Sequence, residues 1–122
     1  YNASPLSMRA ALDTVKDIKA RRKVGVLGDM LEIGKYAIEA HEELGRLAGK
    51  VLDILITIGP RARFIGEMAN KNGMPRKNIF MFDTAEEAKV RVQEIIQKRD
   101  LVLVKASQAM ELDKIIEEIR QM

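Results

Sequence analysis

Four short apolar runs punctuate the chain: "KVGVLG" at residues 23–28, "DILITIG" at 53–59, "NIFMF" at 78–82 and "DLVLVKAS" at 100–107. They are continuous rather than alternating, the pattern of parallel strands covered on both faces. Between them, apolar residues recur at three- and four-residue intervals, as on one face of a helix. Met8, Ala11, Leu12, Val15 and Ile18 form one stripe, and Ile38, Leu44, Ala48 and Val51 a second. Phe64, Ile65, Met68 and Ala69 make a third, Ala88, Val92, Ile95 and Ile96 a fourth, and Leu112, Ile115, Ile116 and Ile119 a fifth. The predicted order is α-β-α-β-α-β-α-β-α. Strands alternating with helices imply right-handed crossovers, hence an α/β fold with a three-layer, Rossmann-like, mostly parallel sheet flanked by helices.

Boundary signals agree with this reading. Ser4 can N-cap the first helix with Pro5 at its first position. Thr84 and Glu87 have capping-box spacing before the fourth helix, and Gly73 with Pro75 ends the third. Glu87 with Arg91 and Glu94 with Lys98 are expected as i,i+4 pairs on solvated faces. Gly45 and Gly49 are expected to mark close packing of the second helix against the sheet. At 122 residues, with no linker, repeat or low-complexity tract, the chain reads as a single domain over 1–122. It opens on Tyr1 inside what reads as a motif, so the expectation is a domain cut from a longer protein.

Composition narrows the partners. Cysteine is absent, which rules out thiolate metal sites and disulfides and fits a reducing, cytoplasmic setting. The 21 basic and 18 acidic residues leave a formal charge of +3, but the basic residues fall in scattered pairs, and aromatics make up only 4%. A nucleic-acid surface would gather its cations on one face with stacking rings, so no nucleic-acid partner is expected. No apolar run reaches membrane-spanning length.

In open parallel sheets, ligands sit beyond the carboxyl ends of the strands. The segments after the four strands therefore hold the candidate chemistry. The first, "VLGDMLEIG" at 26–34 followed by Lys35, nearly reads as a phosphate loop. Five residues rather than four separate Gly28 from Gly34, Tyr36 stands where a hydroxyl for magnesium is needed, and Asp29 and Glu32 would repel phosphate. No dinucleotide fingerprint follows any strand. Asp29 can accept from a ribose hydroxyl or pair with an ammonium; the plainer alternative is that Asp29 or Glu32 caps the following turn. His41 shares a face with Ile38, Leu44 and Ala48; without a second His or any Cys, it reads as a partly buried, hydrogen-bonded histidine rather than a metal ligand. Lys105 emerges from "LVLV" with little structural reason to be there, and can hold an anion. Ser107 either caps the last helix or offers its hydroxyl to a ligand. It has no G-x-S-x-G around it, so nucleophilic hydrolysis is not expected.

Taken in order, "YNASPLSM", "LGDMLEIG", "HEELG" and "VKASQAMELD" resemble the motifs of the carboxy-terminal domain of the Mur ligases: Y-N-A-N-P-x-S-M, L-G-D-M-x-E-L-G, H-x-x-x-G and V-K-G-S-R-x-M-x-x-E. The set runs the length of the chain and is similar to the members that add D-alanyl-D-alanine to UDP-MurNAc-tripeptide. It departs from them in places: Ser4 replaces Asn, Ala106 replaces Gly, Gln108 replaces Arg and Asp113 stands where Glu is usual. Loss of the arginine matters most, since glutamine cannot clamp a carboxylate bidentately.

The resemblance implies a three-domain ATP-dependent ligase of peptidoglycan precursor synthesis. Its amino-terminal domain holds the UDP-sugar, and its central domain holds ATP, magnesium and the acyl-phosphate chemistry. The third domain closes over the site. By motif position, Tyr1, Asn2 and Asp29 lie by the nucleotide, with Asp29 near its ribose; Lys105, Ser107 and Gln108 lie by the peptide or dipeptide substrate. Glu32 and His41 are supporting, and no residue here is catalytic or binds metal. Lacking a G-K-[ST] loop, the 122-residue chain alone is expected to be inactive. Two other classes fit parts of the pattern: a receiver-like phosphoacceptor signalling domain, and a non-catalytic α/β scaffold or interaction module.

Overall fold

The computed structural model describes residues 3–31, 34–107 and 112–122. Helix α1 (Pro5–Asp17) leads into β1 (Lys23–Gly28), followed by α2 (Ala37–Val51), β2 (Ile54–Ile58), α3 (Arg63–Lys71), β3 (Ile79–Phe82), α4 (Ala85–Lys89), α5 (Val92–Ile95), β4 (Leu101–Lys105) and α6 (Asp113–Arg120). The four strands form one sheet in the order β3-β2-β1-β4, and every pairing is parallel. This is the expected α/β architecture.

Each strand's continuous apolar run divides its alternate residues between two cores. Leu27 and Leu55 join Met8, Leu12 and Val15 of α1, Leu44 and Ala48 of α2, and Ile65 and Ala69 of α3 on one face. Val24, Val26, Ile54, Ile56 and Ile58 meet Ala88, Val92, Ile95 and Ile115 on the other. Each such fully buried aliphatic side chain contributes roughly 1.5–3 kcal/mol relative to exposure. The interior strands β1 and β2 are buried almost throughout, whereas β4, at the sheet edge, is only half-buried along its length.

Local signals act largely as read. Ser4 and Ser7 form a reciprocal capping box at α1, with Pro5 at N1, and Thr84 and Glu87 form another at α4. Beyond α3, Gly73 N–H reaches Asn70 O and Met74 N–H reaches Ala69 O, closing the helix before Pro75. Three expectations are corrected. The fourth helix is two pieces: at the join Arg91 N–H bonds Ala88 O and Glu94 N–H bonds Arg91 O, three-residue turns that tighten the backbone while keeping Ala88, Val92 and Ile95 inward. The pairs 87–91 and 94–98 do not form. Glu87 is spent on the capping box, Arg91 pairs with Glu94 at 2.9 Å, and the helical segment ends before Lys98. Gly45 and Gly49 face α3 rather than the sheet. A Cβ at Gly45 would come within 2.5 Å of Ile65 O, so the two helices approach backbone to backbone.

At the amino end of the sheet, Arg22 clasps Asp100. Nε donates to Oδ1 at 2.9 Å and Nη2 to Oδ2 at 2.6 Å, while Nη2 also reaches Ile95 O at 2.7 Å and Gln97 N–H bonds Oδ2 at 2.7 Å. The clasp fixes the approach of β4 to β1 far from the loops of interest.

Candidate functional site at the carboxyl end of the sheet

Because α1–α3 pack on one face and α4–α6 on the other, the chain leaves β1 and β4 towards opposite faces. These neighbouring strands therefore define the switch point at which open α/β sheets place their ligands. The expectation that Asp29 and Lys105 emerge at one end holds: Leu27 pairs with Lys105 in register, and Asp29 follows β1 directly.

Here the crevice is stitched shut. Ser107 N–H donates to Asp29 O at 3.2 Å, and Ser107 Oγ accepts from Leu31 N–H at 2.8 Å. Ser107 is 4% exposed and caps no helix among the described residues; α6 begins after Leu112 without a side-chain cap. Underneath, a Cβ at Gly28 would lie 2.6 Å from Ala106 Cβ, so only glycine permits this approach. The loops after β1 and β4 are thus one body, and any ligand meets a surface instead of entering between them. Outside the stitch, Lys105, Ser107 and Asp113 rim an open cleft of about 470 Å³ floored by Leu112 and Ile116.

Asp29 is 2% exposed. Its Oδ1 accepts from Ala62 N–H at 2.7 Å, just before α3, and its Oδ2 faces Arg61 Nη1 at 3.5 Å. Among the described residues it caps no following turn; it ties the β1 loop to the β2–α3 loop. Gly59 makes room for it, because a Cβ there would overlap the carboxylate, and its φ of 114° is open to glycine. What reaches solvent from this group is the Arg61 guanidinium, with its side chain 49% exposed.

His41 is fully buried, as its place on the apolar stripe of α2 requires. Met30 N–H can only donate, so Nε2, 3.0 Å away, accepts; Nδ1 then carries the proton and donates to Ala37 O at 2.6 Å. His41 thereby holds the β1 loop from the helix side. Burial chiefly pushes its pKa down, against the bond to Ala37 and the charge of Asp29, while Arg61 lowers it further. A histidine that resists protonation when folded makes the unfolded chain bind the proton first. Stability is therefore flat above the ordinary value near 6.5 and falls as pH drops below it. Urea midpoints measured from pH 7.5 to 5.5 are expected to decline in the wild type and to lose that part of the slope in His41→Gln; an unchanged wild-type midpoint would contradict this account.

Tyr1, Asn2, Glu32 and Gln108 lie outside the described residues. Asp29, His41, Lys105 and Ser107 are brought to one end of the sheet, three of them through mutual or backbone hydrogen bonds with the same β1 loop. Arg61 and Gly59 carry no signature in sequence beyond following an apolar run; position after a strand was the only signal.

These observations define a parallel α/β domain whose β1 and β4 loops meet in a stitched surface at the carboxyl end of the sheet. The profile described as "Mur ligase, glutamate ligase domain" matches residues 1–108. The UDP-N-acetylmuramoyl-tripeptide–D-alanyl-D-alanine ligase of Rickettsia prowazekii (strain Madrid E) is 33% identical over 121 residues, covering 96% of this chain and 25% of the relative. That of Bacillus subtilis (strain 168) is 34% identical over 121 residues, covering 98% of this chain and 26% of the relative. Among solved structures, MurF ligase from Thermotoga maritima in complex with ADP superposes with a TM-score of 0.77 at 28% identity, over 99% of this chain and 26% of that one. MurF from Acinetobacter baumannii gives 0.83 at 28%, over 100% and 27%. The chain belongs to the Mur ligase family, as a carboxy-terminal domain of the MurF type, and spans about a quarter of the length of the relatives it matches. The receiver and scaffold alternatives fall with that membership.

Proposed function

We propose that this domain serves an ATP-dependent ligase that joins D-alanyl-D-alanine to UDP-MurNAc-tripeptide in peptidoglycan precursor synthesis, in the cytoplasm. In that reaction ATP phosphorylates the tripeptide's terminal carboxylate, releasing ADP. The dipeptide amine then attacks the acyl phosphate, expelling inorganic phosphate as the amide forms and the amine gives up a proton. The observation that carries the reading is the end-to-end likeness to ligases of that name, together with motif residues meeting at one end of the sheet. No helix among the described residues is long and apolar enough to cross a membrane.

The residues present do not fit the metal, and the loop after β1 does not fit a cradle for the nucleotide's phosphates. Among the described residues no group of three or more His, Asp or Glu side chains could hold a metal ion, and the loop after β1 carries Asp29 and Glu32 where a phosphate cradle needs bare amides. The phosphate cradle and magnesium are therefore assigned to the central domain. This domain's contribution is to orient substrates and exclude water on closure. Tyr1 and Asn2 are assigned to the nucleotide's adenosine end. Asp29 is assigned there too by motif position, acting through the loop it holds at Ala62 since its own carboxylate is buried. Lys105, Ser107 and Gln108 are assigned to the peptide side, supported for the first two by the cleft they line. Glu32 and His41 support the β1 loop.

The test is a ligation assay on the complete enzyme carrying this domain, with UDP-MurNAc-tripeptide, D-alanyl-D-alanine and MgATP. Product formation is expected from the complete enzyme and none from the 122-residue chain. Lys105→Ala is expected to lower kcat/KM by roughly ten-fold or more, the cost of one charge-assisted contact, at unchanged thermal stability. No ligation by the wild type, or full activity in Lys105→Ala, would refute the respective assignment.

A further inference from the structure

We propose that Arg61 is the guanidinium that receives the anionic group of a substrate at the carboxyl end of the sheet, and that Asp29 is the positioning residue that aims it. The inference rests on the ligase reading above and adds to it a residue outside the four motifs.

The geometry separates the two roles. Asp29, at 2% exposure, cannot meet a ligand, and its Oδ1 is committed to Ala62 N–H. Its Oδ2 makes a single, long contact of 3.5 Å to one nitrogen of Arg61. A carboxylate that merely neutralised arginine would take it bidentately, as Asp100 takes Arg22 at 2.9 and 2.6 Å. Instead the guanidinium is steadied at one corner, and among the described residues no other hydrogen bond engages its remaining donors. Half of the side chain faces solvent. The loop that bears it is rigid: Gly59 N–H bonds Phe82 O at 2.8 Å, and Gly59 wraps the Asp29 carboxylate.

Its surroundings are those of an anion site. Strands β2 and β4 flank β1, so the loops bearing Arg61 and Lys105 stand about 10 Å apart, two strand spacings, on either side of the stitched β1 loop. Lys105 has no ion-pair partner among the described residues. Two cations thus bracket one surface. The sequence also explains the need, since Gln108 stands where the motif has arginine, and a neutral amide cannot supply a planar, charged fork. Arg61 supplies one from the loop of a neighbouring strand. The ligand chemistry is an oxyanion, either the carboxylate of the incoming dipeptide or a phosphate of the nucleotide.

Steady-state kinetics of the complete ligase, with ATP and D-alanyl-D-alanine varied separately, decide between them. Arg61→Gln is expected to raise one KM by roughly ten- to hundred-fold, the worth of a charge-assisted contact, with kcat changed far less. A rise for the dipeptide assigns the carboxylate, and a rise for ATP assigns the phosphate. Arg61→Lys is expected to restore part of the loss, and Asp29→Asn to raise the same KM to a lesser degree. Arg46→Gln, which removes a cation from the outer surface of α2, is the control and leaves both KM values in place. Unchanged KM values for both substrates in Arg61→Gln, with an active wild type, would overturn the proposal alone. A wild type that does not ligate overturns it together with the ligase reading. Arg61 is half-exposed, so its variants keep the fold and decide the matter even where Asp29→Asn does not.

Discussion

Asp100→Ala is expected to destabilise the domain by about 3 kcal/mol, the lower end of the cost of stripping one partner from a buried ion pair. The lower end applies because the Arg22 side chain keeps 22% of its surface in water, whereas the Asp100 side chain has none. For a domain of this size the melting temperature should fall by roughly 10 °C. Two groups lose their acceptor at once, the Arg22 fork and the Gln97 N–H, and Arg22 loses the carboxylate that steadies it against Ile95 O. The same pair shapes the acid limb. Burial pushes the Asp100 pKa up, but hydrogen bonds from Arg22 and Gln97 and the charges of Arg22 and Arg21 outweigh it and leave it lowered. A carboxylate with a depressed folded pKa contributes stability above its unfolded value and loses it as pH falls through the folded one. Denaturant titrations at a series of pH values should therefore show a shallower acid limb in Asp100→Ala. A loss under 1 kcal/mol would mean that the clasp is incidental.

Gly59→Ala is expected to cost roughly 2–4 kcal/mol, from strain at φ 114° and from a methyl driven into the Asp29 carboxylate. The displaced carboxylate would release Ala62 N–H, so amide exchange at Ala62 should accelerate with the loss. A double-mutant cycle isolates the cause. In an Asp29→Ala background the room exists, and the cost of Gly59→Ala should shrink to backbone strain, about 1–3 kcal/mol. Strict additivity would show that the glycine does not serve the carboxylate. Because Arg61 follows two residues later, the same variant is expected to weaken whatever that guanidinium holds.

The layers were legible because their signals are local. The apolar runs mark every strand, and Ser4 and Thr84 mark two helix starts with the chemistry of a single side chain. Burial along the runs was not legible: "DLVLVKAS" is as apolar as "DILITIG", yet one is an edge and the other interior, since strand order is a long-range property. The neighbourhood of the site was legible too, because loops after parallel strands converge. The partners were not. Asp29 answers to a backbone N–H 33 residues away and Ser107 to one 76 residues away, and a backbone donor leaves no trace in residue identity. His41 was half-legible: its stripe position foretold burial, but only Met30 N–H fixes which nitrogen carries the proton.

The contact between Gly28 and Ala106 sets a rule of substitution for this end of the sheet. With a would-be Cβ at 28 only 2.6 Å from the methyl at 106, the two positions together hold one methyl group and no more. A glycine at 106, as in the motif this chain resembles, would leave that volume free, and the Ala106 methyl fills it from the β4 side. Residue 28 is thereby barred from anything larger than hydrogen. The permitted histories are a change at 106 alone, or a return to glycine there before any change at 28, so the order of mutations, and not only their identity, is constrained where the two loops meet.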